Sequence, residues 1–207
     1  MKRTISKEQI TIIKSVLQRE IGRTWPIFLL SCLLKRKGLF SDTRWAKNAG
    51  AEAAFAKRLA LIASVYRAFV EKSGREKAFS IIKEIVVPVG CSEQWAHFHS
   101  LGLSQEQGMG RLMKFHNLMD RKGAPQFNSR NYVKRNEKTC HFKITRCVFH
   151  DFFTDVQFPE LTKLFCEVDK EFFPHAFHEF SFHRDGSWEN TIAYGKDHCE
   201  FIFERKE

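Results

Sequence analysis

Three cysteines and one aspartate set the chemical question in the last third of this chain. Cys166 and Asp169 stand three residues apart in PELTKLFCEVDKEFFP, residues 159–174. On a helix their side chains are neighbours. Cys147 precedes them in ITRCVFHDFF, and Cys199 follows in KDHCEFIFE. Three thiols beside a carboxylate have two chemical uses. One thiolate can attack an electron-poor carbon while another residue relays protons. Alternatively, three thiolates with an Asp or His can hold zinc. Neither use has its diagnostic spacing, since the chain has no C-x-x-C and no H-E-x-x-H. Simple packing stays open beside both, because a free Cys is commonly a small buried hydrophobe. On that reading Asp169 is a solvated helix flank. No metal site is assigned and no cofactor is expected. Two histidines adjoin the thiols. His150 lies three residues after Cys147 and can come near it where a strand gives way to a helix. His198 adjoins Cys199 but alternates to the other face of a strand. His175, His178 and His183 read as surface or cap residues.

The elements that must position these groups fall into two regions. Residues 1–135 read as helical. SKEQITIIKSVLQREIG has Ile10, Ile13, Leu17 and Ile21 at helical spacing, with Ser6 as N-cap and Gly22 as stop. WPIFLLSCLLKRKG follows as a helix buried on most sides. The alanine-rich stretch 42–74 is helical with a break near Gly50. REKAFSIIKEIVVPVG is another helix, ended by Pro88 and Gly90. SQEQGMGRLMKFHNLMDRKG puts Leu112, Phe115 and Met119 on one face. Residues 124–139 are polar and aperiodic, and read as a connector. Residues 136–207 then read as an α+β region. CHFKITRCVF alternates as a strand, with Phe142, Ile144, Arg146 and Val148 on one face and His141, Lys143, Thr145 and Cys147 on the other. HDFFTDVQ is a short helix. Pro159 opens the next helix and Pro174 stops it. Residues 177–205 are expected to form two or three antiparallel strands, turning at Asp185-Gly186 and near Gly195. On the last strand Cys199, Phe201 and Phe203 share a face. The fold class is therefore α+β: an N-terminal helical bundle on a small antiparallel sheet, in one compact domain with a strand–helix–helix–meander C-terminal half.

Bulk properties narrow the function classes. The 207 residues include 21 Phe, enough apolar material for a substantial core, so disorder is excluded. No apolar run reaches the roughly 20 residues of a membrane span. PIFLLSCLL, residues 26–34, is too short, and no small-residue cleavage site follows it as in a secretory signal. A cytoplasmic protein with reduced thiols is expected, with no membrane partner. Residues 1–130 carry 23 Lys/Arg against 10 Asp/Glu, whereas residues 131–207 carry 11 against 14. The cations are scattered and no nucleic-acid-binding motif accompanies them, so nucleic acid is not the expected partner. A small-molecule substrate is, and homo-oligomerisation is left open.

FKITRCVFHDFFTDVQFPELTKLFCEVDKEFF, followed by NTIAYGKDHCEFIFER, resembles the family of L-2-amino-thiazoline-4-carboxylic acid hydrolase. The matching positions are Cys147, Pro159-Glu160-Leu161, Cys166, Asp169, Thr191, Gly195 to Cys199, and Phe201. Phe158 stands where the family pattern has Gly before Pro. The resemblance covers about residues 140–205. It implies a hydrolase acting on a carbon–nitrogen bond of a cyclic amidine, opening the thiazoline ring to N-carbamoyl-L-cysteine. In that reading Cys147, Cys166, Asp169 and Cys199 are catalytic candidates, and Arg146, His150, Thr191 and His198 are substrate-binding candidates. The resemblance also implies kinship with a small-molecule-binding fold of the four-vinyl-reductase type. A ligand- or metal-binding sensor module without catalysis is the alternative.

Overall fold

A computed structural model describes residues 6–47, 49–102 and 106–207 of the chain. Its described part is α+β, with seven α-helices and one four-stranded antiparallel sheet. The chain divides into two compact units, one of Met1–Ser92 with Phe152–Phe165 and one of Glu93–Asp151 with Cys166–Glu207.

The first unit is helical. Helix α1 (Lys7–Ile21) starts where Ser6 and Gln9 form a capping box, each side chain bonded to the other's backbone N–H. It ends at Gly22, as its sequence requires. Replacing Ser6 by Ala removes one of these bonds and is expected to cost about 1 kcal/mol, read as a lower urea midpoint at unchanged slope. Helix α1 is tied to helix α4 (Arg75–Ser100) along its length. Gln9 Nε2 donates to the Val89 carbonyl at 3.3 Å, Ser92 Oγ to Glu8 at 3.1 Å, and Arg19 pairs with Glu84 at 2.8 Å. Helix α3 (Ala51–Ser73) begins at Gly50, and buries Ala53, Ala56, Ala60 and Ala63 at helical spacing. Side chains this small let helix α2 (Trp25–Ser41) come close, and Ser64 Oγ donates to the Cys32 carbonyl at 2.8 Å.

Two expectations for this region are corrected. Pro88 and Gly90 do not end α4, which runs on to Ser100. Proline removes one helical hydrogen bond, at a cost of about 3 kcal/mol. Burial of Ile81, Ile82 and Val86 before it and Phe98 after it offsets that loss. Helix α2 is not buried on most sides: only Cys32 and Leu39 are buried, and Ile27, Leu30, Leu33 and Leu34 are exposed. Apolarity all round a helix does not say how many neighbours it has.

The second unit holds the sheet. Strands β1 (Ser129–Arg135), β2 (Thr139–Arg146), β3 (Phe180–His183) and β4 (Cys199–Arg205) lie in the order β1-β2-β4-β3, all antiparallel. Residues 124–139 are thus more than a connector, because β1 forms an edge of the sheet. Its side chains are mostly exposed and its pairing with β2 is bulged, so no alternation marks it. Register places Phe142 opposite Phe201, Ile144 opposite Cys199 and Phe182 opposite Phe203. These residues share one face. Helices α5 (Gly108–Lys122) and α7 (Thr162–Ala176) cover it, with Phe173 against Phe182 and Phe203, and His116 edge-on to Phe142. For α5, Leu112, Phe115 and Met119 are buried as expected; Ser104 and Gln105, placed in that helix from sequence, lie outside the described residues, as does Asn48.

Pro174 does not stop α7, which continues to Ala176 while Phe172, Phe173 and Phe177 are buried around the proline. The C-terminal part gives two successive antiparallel strands, β3 and β4, paired as neighbours as expected. Residues 184–198 run as an irregular segment with one short 3₁₀ turn, Ile192–Tyr194, and β4 then inserts between β2 and β3. Helix α6 (Val148–Asp155) follows β2 directly.

Candidate functional site

Each of the four chemical groups is set by a different local rule. Cys199 is the first residue of β4 and takes the helix-facing side, with Phe201 and Phe203 after it. Cys166 and Asp169 lie one turn apart on α7. Cys147 stands between the end of β2 and the start of α6, where the backbone N–H groups of Phe149 and His150 reach its sulfur. The irregular segment 184–198 closes the arrangement. The Ile192 N–H donates to Cys199 Sγ at 3.2 Å, and its neighbour Thr191, fully buried, has Oγ1 3.9 Å from Cys166 Sγ. The thiol of Cys147 interacts electrostatically with both of the others. All three cysteines and the aspartate therefore belong to one locality in the second unit.

Burial governs the protonation of this group. Desolvation pushes the Cys147 thiol up to about 12 despite the helix N–H groups facing it. Desolvation likewise raises Cys166 to about 12, although the Arg184 cation pulls the other way. Cys199 is also raised, again by burial first. A thiol with a pKa near 12 is ionised in only about one molecule in 10⁵ at pH 7. Asp169 is raised by desolvation to about 6, against the opposing pull of Arg184. Yet its side chain keeps 23% of its surface accessible.

Arg184 is the residue that the sequence reading missed. Its side chain is only 1% exposed, and its Nη2 donates to Asp169 Oδ2 at 2.8 Å. Nη1 reaches the Glu200 carbonyl at 3.3 Å, and the guanidinium lies 3.9 Å from the centre of the Phe201 ring. Its Nε has no hydrogen-bond partner among the described residues. A signal for it exists in the sequence: Phe180 and Phe182 point inward, so the next position of the same parity is 184. An arginine carried inward by strand alternation needs a buried anion, and Asp169 supplies it.

The remaining candidates separate. Thr191 lies against Cys166. His150 is in the first turn of α6, its backbone N–H on Cys147 and its buried Nδ1 without a hydrogen-bond partner among the described residues. Arg146 is engaged with Asp151 at 2.8 Å and with the Phe127 carbonyl at 3.0 Å. His198 lies away from the thiols, on the far face of the sheet, where its Nε2 meets Glu200 at 2.9 Å. His141 at 2.6 Å and Lys143 at 3.0 Å converge on the same carboxylate. Burial alone would raise the Glu200 pKa, but these three donors outweigh it and hold it at about 2. Among the described residues, no group of three or more His, Cys, Asp or Glu side chains is arranged to hold a metal ion. All six cysteines are free thiols.

Against known families, a model described as L-2-amino-thiazoline-4-carboxylic acid hydrolase matches residues 53–203. No curated protein and no solved structure matches the chain. The matched span contains Cys147, Cys166, Asp169, Arg184, Thr191 and Cys199. Among the described residues, no helix is long and apolar enough to cross a membrane.

Proposed function

We propose that this chain, which belongs to the L-2-amino-thiazoline-4-carboxylic acid hydrolase family, hydrolyses a cyclic amidine of that type, with Asp169 as the group that handles the amidine. The observation that carries this reading is the buried Arg184–Asp169 pair set among three neutral thiols.

The chemistry follows from the bonds of the substrate. In 2-amino-thiazoline-4-carboxylate the ring carbon C2 is joined to the ring sulfur, the ring nitrogen and an amino group. Water adds across the carbon–nitrogen double bond at C2, and the tetrahedral adduct collapses by breaking the C2–S bond. The water oxygen becomes the carbamoyl oxygen, one of its protons ends on the ring nitrogen and the other on the departing sulfur. The carbon–nitrogen unit is thus where water adds, whereas the ring-opening bond to N-carbamoyl-L-cysteine is carbon–sulfur.

Asp169 suits two steps of this sequence. As a carboxylate it binds the amidinium by charge-assisted hydrogen bonds, and it can take the proton of the attacking water. Arg184 occupies Oδ2 and leaves Oδ1 for a further donor. The pair also turns the carboxylate in a fixed direction. Thiols that stay protonated are poor nucleophiles, so Cys147, Cys166 and Cys199 line the site and offer weak S–H donors and polarisable surface to the ring sulfur. Water, activated by Asp169, is the nucleophile.

Incubation with L-2-amino-thiazoline-4-carboxylate should release one new thiol per turnover, with N-carbamoyl-L-cysteine identified by mass. The acid limb of kcat/KM should rise with pH through about 6, because the raised Asp169 pKa sets where the active carboxylate forms. Binding of this compound without thiol release would support the sensor reading instead. Turnover with a flat profile between pH 5 and 8 would remove Asp169 as the general base.

A further inference from the structure

We propose that helix α2 is a docking surface for an anionic phospholipid membrane, on which the protein lies without crossing it. One side of α2 is held by its own unit: Cys32 and Leu39 are buried, and Phe28 packs on Phe69 with ring centres 5.0 Å apart. The other side is open. Ile27 is 71% exposed, Leu30 57%, Leu33 38% and Leu34 71%. The spacing 27, 30, 34 with 33 beside it forms one stripe on a helix. Four large aliphatic side chains in a contiguous exposed stripe mark an interaction site rather than ordinary surface.

Charge identifies the occupant. Residues 21–41 contain Arg23, Lys35, Arg36 and Lys37 and no Asp or Glu. Among the described residues none of these four cations is in an ion pair, and Arg23, Lys35 and Lys37 are exposed. The cations stand at both ends of the apolar stripe. A second copy packed through the same stripe would set cation against cation, which disfavours self-association. A headgroup layer meets both features at once: the aliphatic side chains enter the acyl boundary, and the long cationic side chains reach the phosphates. Trp25, half-buried at the start of the helix, is the residue type that membrane interfaces favour. The sequence alone argues against a membrane partner because a short helix that is apolar all round reads as buried; the exposure of α2 reopens the question.

Co-sedimentation of the full chain with vesicles tests the assignment. Vesicles of phosphatidylcholine with 30% phosphatidylglycerol are compared with pure phosphatidylcholine, at about 0.1 and 0.5 M NaCl. Binding should be at least about tenfold stronger to the anionic vesicles at low salt and should fall at high salt. The double variant Leu30→Gln/Leu34→Gln, checked for native circular dichroism, should lose it. Lys35→Gln/Lys37→Gln should lose the preference for anionic lipid. Absence of binding to either vesicle overturns the proposal, as does equal binding by the Leu30→Gln/Leu34→Gln variant. A concentration-dependent dimer that this variant abolishes also overturns it, in favour of self-association.

Discussion

Asp169→Asn is expected to lower turnover of L-2-amino-thiazoline-4-carboxylate by about 10²-fold or more, the scale of losing a general base. Asparagine keeps the shape and can still accept a hydrogen bond from Arg184, but it neither takes a proton nor neutralises an amidinium. Losing the charge weakens the contact with Arg184 but also lifts the desolvation cost that raises the Asp169 pKa, so the two effects on stability oppose each other. Activity is therefore measured well below the variant's unfolding temperature, with the folded fraction read by circular dichroism. The kinetic constants separate the two roles. Loss of amidinium binding raises KM, whereas loss of the base lowers kcat. Serine at Cys147 or Cys199 is expected to act far more mildly, within about tenfold, because neutral thiols there contribute surface and not charge. A folded Asp169→Asn protein with near-normal turnover, or a Cys147→Ser protein as inactive as Asp169→Asn, would overturn the assignment of water as nucleophile.

Arg184→Met carries the largest expected effect on stability, about 3 kcal/mol at pH 7. The substitution leaves the Asp169 carboxylate without its counter-ion, removes the donor to the Glu200 carbonyl and takes the guanidinium off the Phe201 ring. Partial access of Asp169 to water keeps the figure at the lower end of the range for broken buried pairs. The pH dependence has a definite sign. In the native protein the Asp169 pKa is raised from 3.8 to about 6. The folded state therefore holds a proton that the unfolded state has released, across that window. This contribution to stability is complete below about pH 4 and is lost as pH rises through about 6. Without Arg184, which lowers the Asp169 pKa, the carboxyl is pushed higher still and the window widens upward. The stability difference between wild type and Arg184→Met should consequently be larger at pH 8 than at pH 5, read from urea midpoints at both. A difference independent of pH would mean that Asp169 does not sense Arg184.

Several elements were legible because their signals are local. Ser6 three residues before Gln9, and Gly22 after the last apolar position, mark α1 at both ends. Gly50 and Gly74 bound α3 in the same way. The alternation in β2 comes from a sheet face covered by phenylalanines, so period-2 burial is written into its residues, whereas the interior strand β4 buries residues of both faces. Strand β1 left no such trace, since it is an exposed edge strand with bulges and neither face of it demands apolar residues. Pro88 and Pro174 misled for a different reason. A proline costs a helix one bond, and aromatic and aliphatic packing on both sides of it outweighs that bond.

For the candidate site the division is similar. Sequence by itself determined which groups are present and how some must neighbour: Cys166 and Asp169 by helical spacing, Cys199 on the side of Phe201 by strand alternation, His198 on the side away from it. These follow from the 3.6- and 2-residue periods, which need no knowledge of the rest of the chain. Only the tertiary structure decided that Cys147 joins them, that Thr191 and Ile192 come over the two other thiols, and that Arg184 is the partner of Asp169. It also decided the protonation states. A thiol pKa near 12 and a carboxyl pKa near 6 arise from the removal of water by residues distant in sequence. Desolvation is a property of everything that packs around a group, and no spacing within one segment encodes it.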